Sequence, residues 1–150
     1  MVTFARAAVA SLMLAAIGAQ QKPDFSGRWV MVSPAQGAGA EQVVKHNDKT
    51  LTIEHLSSGG SHRQAYEIDG VEHRSTLASR GQEIVTLYTA SWDGTRLVIA
   101  SRTTYPNGMK TQSKEIWSLD AQGRLVIDYT ESGPGGQPGP ATKVTYVKKQ

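Results

Sequence analysis

The stretch from Glu83 to Glu131, EIVTLYTASWDGTRLVIASRTTYPNGMKTQSKEIWSLDAQGRLVIDYTE, decides the fold. Four runs rich in β-branched and aromatic residues alternate with polar ones, and short glycine-containing segments separate them, as in consecutive antiparallel strands. Asp93-Gly94 has the chemistry of a two-residue type I′ turn, in which both central residues need positive φ. That turn predicts Trp92 opposite Thr95, Ala90 opposite Leu97, Tyr88 opposite Ile99 and Thr86 opposite Ser101. Pro106-Asn107-Gly108 suits a three-residue loop, with proline pre-setting φ and glycine in the left-handed position. It pairs Tyr105 with Met109, so Ile99 faces Glu115 and Leu97 faces Trp117. Ala121-Gln122-Gly123 has the same length, which pairs Asp120 with Arg124, Leu119 with Leu125, Trp117 with Ile127 and Glu115 with Tyr129. All three turns put the large apolar side chains on one face, and a one-residue slip at any of them would send Trp117 or the Leu97-Ile99 pair to the other.

Outward from this core the signals are shorter but of the same kind. Ser26 to Val32 reads as a strand containing Trp29, and strands Gln42 to His46 and Leu51 to Leu56 flank the Asn47-Asp48-Lys49 turn. Arg63 to Ile68 and Val71 to Thr76 read as a hairpin about Asp69-Gly70, pairing Ile68 with Val71 and Tyr66 with His73. The glycine- and proline-rich loop Gly133 to Pro140 leads into a last strand, Ala141 to Lys148. About ten short strands joined by sequential hairpins, without internal repeats, predict an all-β chain: a single antiparallel up-and-down β-barrel rather than a solenoid or propeller.

The first 19 residues stand apart. Arg6, the apolar run Ala7 to Ile17 and the small residues Gly18 and Ala19 have the layout of a signal peptide, too short for a membrane span. The expected organisation is a signal peptide over 1–19 and one barrel domain over 20–150, periplasmic or secreted, with no membrane span after cleavage. A chain of 150 residues with 39% hydrophobic content suits one domain. With no cysteine, an exported domain must be held by its core alone, and lipid anchoring at a cysteine is excluded. The net charge of +3 loses one unit with Arg6, too little to imply nucleic acid.

Phe25-Ser26-Gly27-Arg28-Trp29 resembles the Gly-x-Trp opening of the calycin superfamily, the lipocalins and fatty-acid-binding proteins. The resemblance implies a lipocalin-like barrel in which Trp29 plugs one end, with Gly27, Trp92 and Trp117 as structural residues around it. Together with Ser91-Trp92-Asp93-Gly94 and the strand from Glu115 to Asp120, this opening looks like a group of exported bacterial proteins of lipocalin-like shape, and that likeness implies a fold and no activity. Two departures from fatty-acid-binding proteins are visible. Only Ser33 to Glu41 follows the first strand, too short for a helical pair. The arginine of a carboxylate-holding Arg-x-Tyr would fall at Val144 when Tyr146 is aligned.

The predicted inner face is apolar near the Asp93 and Gln122 turns and polar towards the other end, where Thr86, Ser101, Thr103, Thr111, Ser113, Glu115 and Tyr129 lie. An apolar floor beneath a few hydroxyls is what an amphiphilic ligand needs. The candidate ligand-binding residues are Glu115, Tyr129, Ser101, Ser113, Tyr88, Tyr66 and His73. Glu115 is the sharpest of them, because a carboxylate in mid-sheet must find a partner or shift its pKa. No catalytic residues, metal set or cofactor motif can be assigned. His46, His55, His62 and His73 show no metal-ligand spacing, with only His73 placed inward, and no nucleophile elbow or phosphate loop occurs. The expected function is an exported lipocalin-like binding protein for a small apolar or amphiphilic ligand. The alternative is a filled barrel acting as a protein or polysaccharide interaction module, for which the outward strip Val85, Leu87, Val98 and Ala100 offers a surface for self-association.

Overall fold

The computed structural model describes residues 21–150; the expected signal peptide, 1–19, lies outside them. Ten strands follow one another: β1 Gly27–Ser33, β2 Glu41–His46, β3 Thr50–Ser57, β4 Gly60–Glu67, β5 His73–Ser79, β6 Gln82–Asp93, β7 Arg96–Thr104, β8 Lys110–Leu119, β9 Leu125–Ser132 and β10 Thr142–Lys148. They form one antiparallel sheet in the order β4-β3-β2-β1-β10-β9-β8-β7-β6-β5. The chain is thus an up-and-down meander whose first and last strands join, giving a barrel open only along the β4 and β5 edges. Among the described residues there is no helix. After β1 the chain turns back through tight bends, Met31 N–H donating to Ala40 O and Gly39 N–H to Met31 O, so no helical pair caps the barrel there.

The seam between β1 and β10 was beyond the reach of turn chemistry. Trp29 lies opposite Lys148, Val30 opposite Val147 and Met31 opposite Tyr146, after which the register shifts by a bulge before Ser33 meets Thr145. Such an extra residue bends a strand, which helps a sheet close. Glu41 fastens the outside of the seam, accepting from Lys149 Nζ and Arg28 Nε, both at 2.6 Å. Gly27 begins β1 at φ 145°, a region that strains any residue with a Cβ.

The predicted registers hold across two of the three meander turns. Leu97 faces Trp117 and Ile99 faces Glu115; Trp117 faces Ile127 and Glu115 faces Tyr129. At the first turn the pairing is displaced. Asp93 pairs with Arg96 and Trp92 with Leu97, so Ala90 meets Ile99 and Tyr88 meets Ser101. The central turn residues are therefore Gly94 and Thr95, with positive φ at Gly94 only, as in a type II′ turn. A shift of two residues preserves the side of the sheet on which every side chain lies, so the core face is as predicted.

The Asp69-Gly70 hairpin does not form. β4 and β5 are the two free edges of the sheet, and neither Ile68 with Val71 nor Tyr66 with His73 is a ladder pair. Backbone partners elsewhere take the groups that a hairpin would have used: Ile68 N–H donates to Lys49 O at 2.7 Å and Gly70 N–H to Ala90 O at 3.0 Å. Asp69 shapes the bend by accepting from Val71 N–H at 2.9 Å. The segment thus crosses one end of the barrel and delivers the chain to β5, which pairs with β6 instead.

Candidate functional site

One end of the barrel is solid. Phe25 stacks on Trp92 with ring centroids 5.9 Å apart, meets Trp117 edge-on at 5.8 Å and lies 5.4 Å from the His46 ring. Trp29 Nε1–H donates to Phe25 O at 2.9 Å. Leu51, Leu97 and Leu125 complete this floor and are fully buried. The aromatic residues come from the segment before β1, from β1 and β2, and from β6 and β8, so the Gly-x-Trp opening, the Asp93 turn and the Glu115 strand converge here. Trp29, Trp92 and Trp117 lie in this floor and Gly27 opens the strand that leads into it, and His46 points inward among the aromatics, which corrects the expectation that only His73 faces in.

Above the floor lies a cavity of about 150 Å3 lined by Gln42, Ile53, His55, Gln64, Glu115, Trp117, Ile127, Tyr129, Val144 and Tyr146. A second, of about 500 Å3, opens beside it along the β4 and β5 edges; its lining includes His62, Gln64, Tyr66, Ser75, Leu77, Thr86, Tyr88, Thr103 and Tyr105. Gln64 is common to both. Strand alternation explains the smaller cavity's lining, because residues i and i+2 share a face: Ile53 and His55, Trp117 and Glu115, and Ile127 and Tyr129 each set an apolar residue towards the floor and a polar one two positions further out.

Glu115 sits where the two levels meet. Trp117 Nε1–H donates to its Oε2 at 2.7 Å, and its other oxygen has no hydrogen-bond partner among the described residues. Burial pushes the carboxyl above its ordinary range, against the opposing pull of the Trp117 bond. Burial also lifts the Tyr129 hydroxyl to about 12, helped by the Glu131 carboxylate beside it, and raises those of Tyr66 and Tyr146. His55 is pushed down by burial and by the neighbouring His62. Gln42 is 2% exposed, and its Nε2 has no hydrogen-bond partner among the described residues.

Because the folded pKa of Glu115 is raised, its contribution to stability is fully present below the unfolded carboxyl pKa and is lost as pH rises through the folded value. Glu115→Gln keeps the shape and stays neutral. The variant's Tm is therefore expected to exceed that of the parent at neutral pH, with the gap closing towards acid pH. A thermal melt series in which the parent is the more stable at neutral pH would refute this.

The other predicted residues divide. Tyr66 and Tyr88 line the larger cavity and meet edge-on at 5.0 Å, Tyr88 OH also accepting from Glu67 N–H at 3.2 Å. Ser101 and Ser113 pair with one another on the same face and, with Tyr88, line a third pocket of about 360 Å3 that Arg102 and Lys114 also border. His73 lines neither of the first two cavities: its Nε2 is 3.0 Å from both Asp69 carboxylate oxygens, and its ring stacks 5.5 Å from Tyr88. The Asp69 bend that replaced the hairpin accounts for this placement. Sequence reasoning missed Gln42, His55, Gln64 and Tyr146. The first two were accessible, since extending the Asn47 turn register puts Gln42 opposite His55. His55 also faces His62 across the β3–β4 hairpin, rings 6.4 Å apart, a cross-strand pair that a search for spacing along one strand cannot find.

No protein-family model matches the sequence, and no curated protein matches it either. Solved structures do share its fold. A structure described as the REP1-NXSQ fatty acid transporter superposes with a TM-score of 0.58 at 14% identity, covering 83% of this chain and 96% of the other. The apo lipid binding protein 8 of Caenorhabditis elegans gives 0.57 at 15% identity, covering 83% and 95%. The fold is calycin-like.

Proposed function

We propose that the protein is an exported carrier, periplasmic or secreted, that binds one small amphiphilic molecule inside its barrel by contact alone, without chemical conversion. The single observation that carries this reading is the pair of cavities above a packed aromatic floor, the smaller lined by Gln42, whose buried Nε2 has no hydrogen-bond partner among the described residues, and by Glu115, which accepts there from Trp117 alone. Buried polar groups are normally hydrogen-bonded, and an unpartnered one that borders a cavity, as Gln42 does and the floor atoms His46 Nε2 and Trp92 Nε1 do not, marks a place for another molecule. The names of the structurally similar proteins, a fatty acid transporter and a lipid binding protein, agree with a ligand of amphiphilic character.

Nile red, a neutral solvatochromic dye, provides the test. Its fluorescence is expected to rise saturably at one dye per chain and to fall on addition of decanol. Ser75 faces inward on an exposed stretch of β5 beside the larger cavity, so Ser75→Trp should fill that cavity without unfolding the domain and weaken the dye at least about tenfold. Leu87→Glu and Val98→Glu alter the outer face and should leave dye binding intact. If the outer pair abolishes binding and Ser75→Trp spares it, the working surface is the outward strip and the carrier reading falls.

A further inference from the structure

The distribution of charge about the barrel wall is lopsided. Register places Arg28, Lys45, Arg63, Arg74, Arg96, Arg102, Lys110, Lys114 and Lys143 on the outward side of their strands. Among the described residues the one strand cation on the inward register is Lys148, which lies at the closed end with its Nζ 5.6 Å from the Trp29 ring centroid. Six of the eight strand acids, Glu41, Glu54, Glu67, Glu83, Asp93 and Asp128, share that outward side, and two do not. Glu115 is inside the smaller cavity, and Glu131 follows on the same face, opposite Ser113 and towards the open end. The outer wall of this net basic protein thus mixes both charges, whereas above the closed end the inward register carries carboxylates and, among the described residues, no lysine or arginine.

Glu115 has nothing among the described residues to neutralise it: no lysine, arginine or histidine there forms an ion pair with it. The groups around it are the Trp117 indole, Ile99 on β7, Tyr129 on β9, Tyr146 on β10, Gln42 on β2, His55 on β3 and Gln64 on β4. His55 is the one base in that set, and its burial and its His62 neighbour both favour the uncharged ring. Arg63 borders the larger cavity from the outward register of the β4 edge and is the only lysine or arginine among the described residues lining it.

We propose, resting on the carrier reading above, that the cavity takes a cationic amphiphile, an alkyl ammonium compound whose protonated nitrogen donates to the free Glu115 oxygen while its apolar body occupies the larger cavity. A buried charge is tolerated when it is paired and hydrogen-bonded. An incoming ammonium supplies both conditions, and Trp117 already fixes the other oxygen. The Gln42 amide offers a donor and an acceptor to whatever group adjoins the nitrogen. An alcohol can only hydrogen-bond to a neutral or ionised Glu115, and a carboxylate ligand would bring a like charge against it, which costs affinity. This orders three ligands of equal chain length: amine, then alcohol, then acid.

Isothermal titration calorimetry of the intact protein at neutral pH with decylamine, decanol and decanoate tests the order. Decylamine is expected to bind at least about tenfold more tightly than decanol, with decanoate weakest. Glu115→Gln, confirmed as folded by a cooperative melt, is expected to bring the amine-to-alcohol affinity ratio close to one. If decanol binds and decylamine is no tighter, or if the ratio survives Glu115→Gln, the charge preference is wrong and the carrier reading stands. Tightest binding of decanoate likewise overturns the charge preference, and points to Arg63. Binding of none of the three removes the carrier reading and this inference with it.

Discussion

Replacement of Trp29 by alanine is expected to lower the stability of the barrel by about 3–5 kcal/mol, the range for removing a fully buried indole. Three losses meet at this position. The side chain is 1% exposed, so its removal leaves a cavity that the surrounding strands can only partly fill. The Nε1–H bond to Phe25 O disappears, leaving that carbonyl buried without its donor. Trp29 also stands between two ladders, opposite Gln42 on β2 and Lys148 on β10, so the cavity opens at the seam where the sheet closes. Trp29→Phe separates the terms, keeping a ring while deleting the donor, and should cost less, about 1–3 kcal/mol. Urea unfolding measures both. A loss below about 1 kcal/mol for Trp29→Ala would mean that the closed end is not held by this side chain, because domains of this size have only about 5–15 kcal/mol in total.

Trp117→Ala is expected to cost a similar 3–5 kcal/mol and, unlike Trp29→Ala, to change the smaller cavity electrostatically. Trp117 is buried in the floor against Phe25 and is also the donor to Glu115. Without it the carboxyl retains the burial that raises its pKa and loses the bond that lowers it, so the pKa moves further up. Trp117→Phe should reproduce that upward movement at a smaller cost in stability. Titration of the Glu115 carboxyl by NMR in the parent and in Trp117→Phe reads the direction, and an unchanged or lowered value would show that the indole does not hold the carboxylate. The two positions thus differ in kind: Trp29 supports the closure, whereas Trp117 supports the closure and sets the state of the acid above it.

Much of this was legible from local chemistry, and the exceptions share a cause. At Pro106-Asn107-Gly108 and Ala121-Gln122-Gly123 the register follows from turn residues alone, because an Asn107 or Asp120 side chain fixes the loop from within, accepting from Met109 N–H and from Gln122 and Arg124 N–H. Asp93-Gly94 was harder, since the same dipeptide fits two turn types that differ in which residues are central. Asp69-Gly70 failed outright because the groups that settle it, Lys49 O and Ala90 O, come from other parts of the chain. In the site, Glu115 and Tyr129 stood out as polar residues on a face whose register was known. Gln42, Gln64 and Tyr146 join them only because the sheet curls until β2, β4 and β10 face β8, which no pairwise ladder reveals. The inward Arg-x-Tyr of a carboxylate clamp was absent from the sequence itself, and the acid that lines the cavity was already present there.

The seam between β1 and β10 also governs how such a chain is assembled. Of the nine ladders, eight join strands that are neighbours in sequence, and one joins the two ends of the domain, Trp29 to Lys148. Local hairpins close short loops at small entropic cost, whereas the seam must close the whole domain at once. The meander from β6 to β9 can therefore form early as a curved sheet. Enclosure comes last, when the Gly-x-Trp strand is laid against the end of the chain. An interior that encloses Glu115 exists only after that final step, so the cavity is a property of the closed sheet and of no part of the meander.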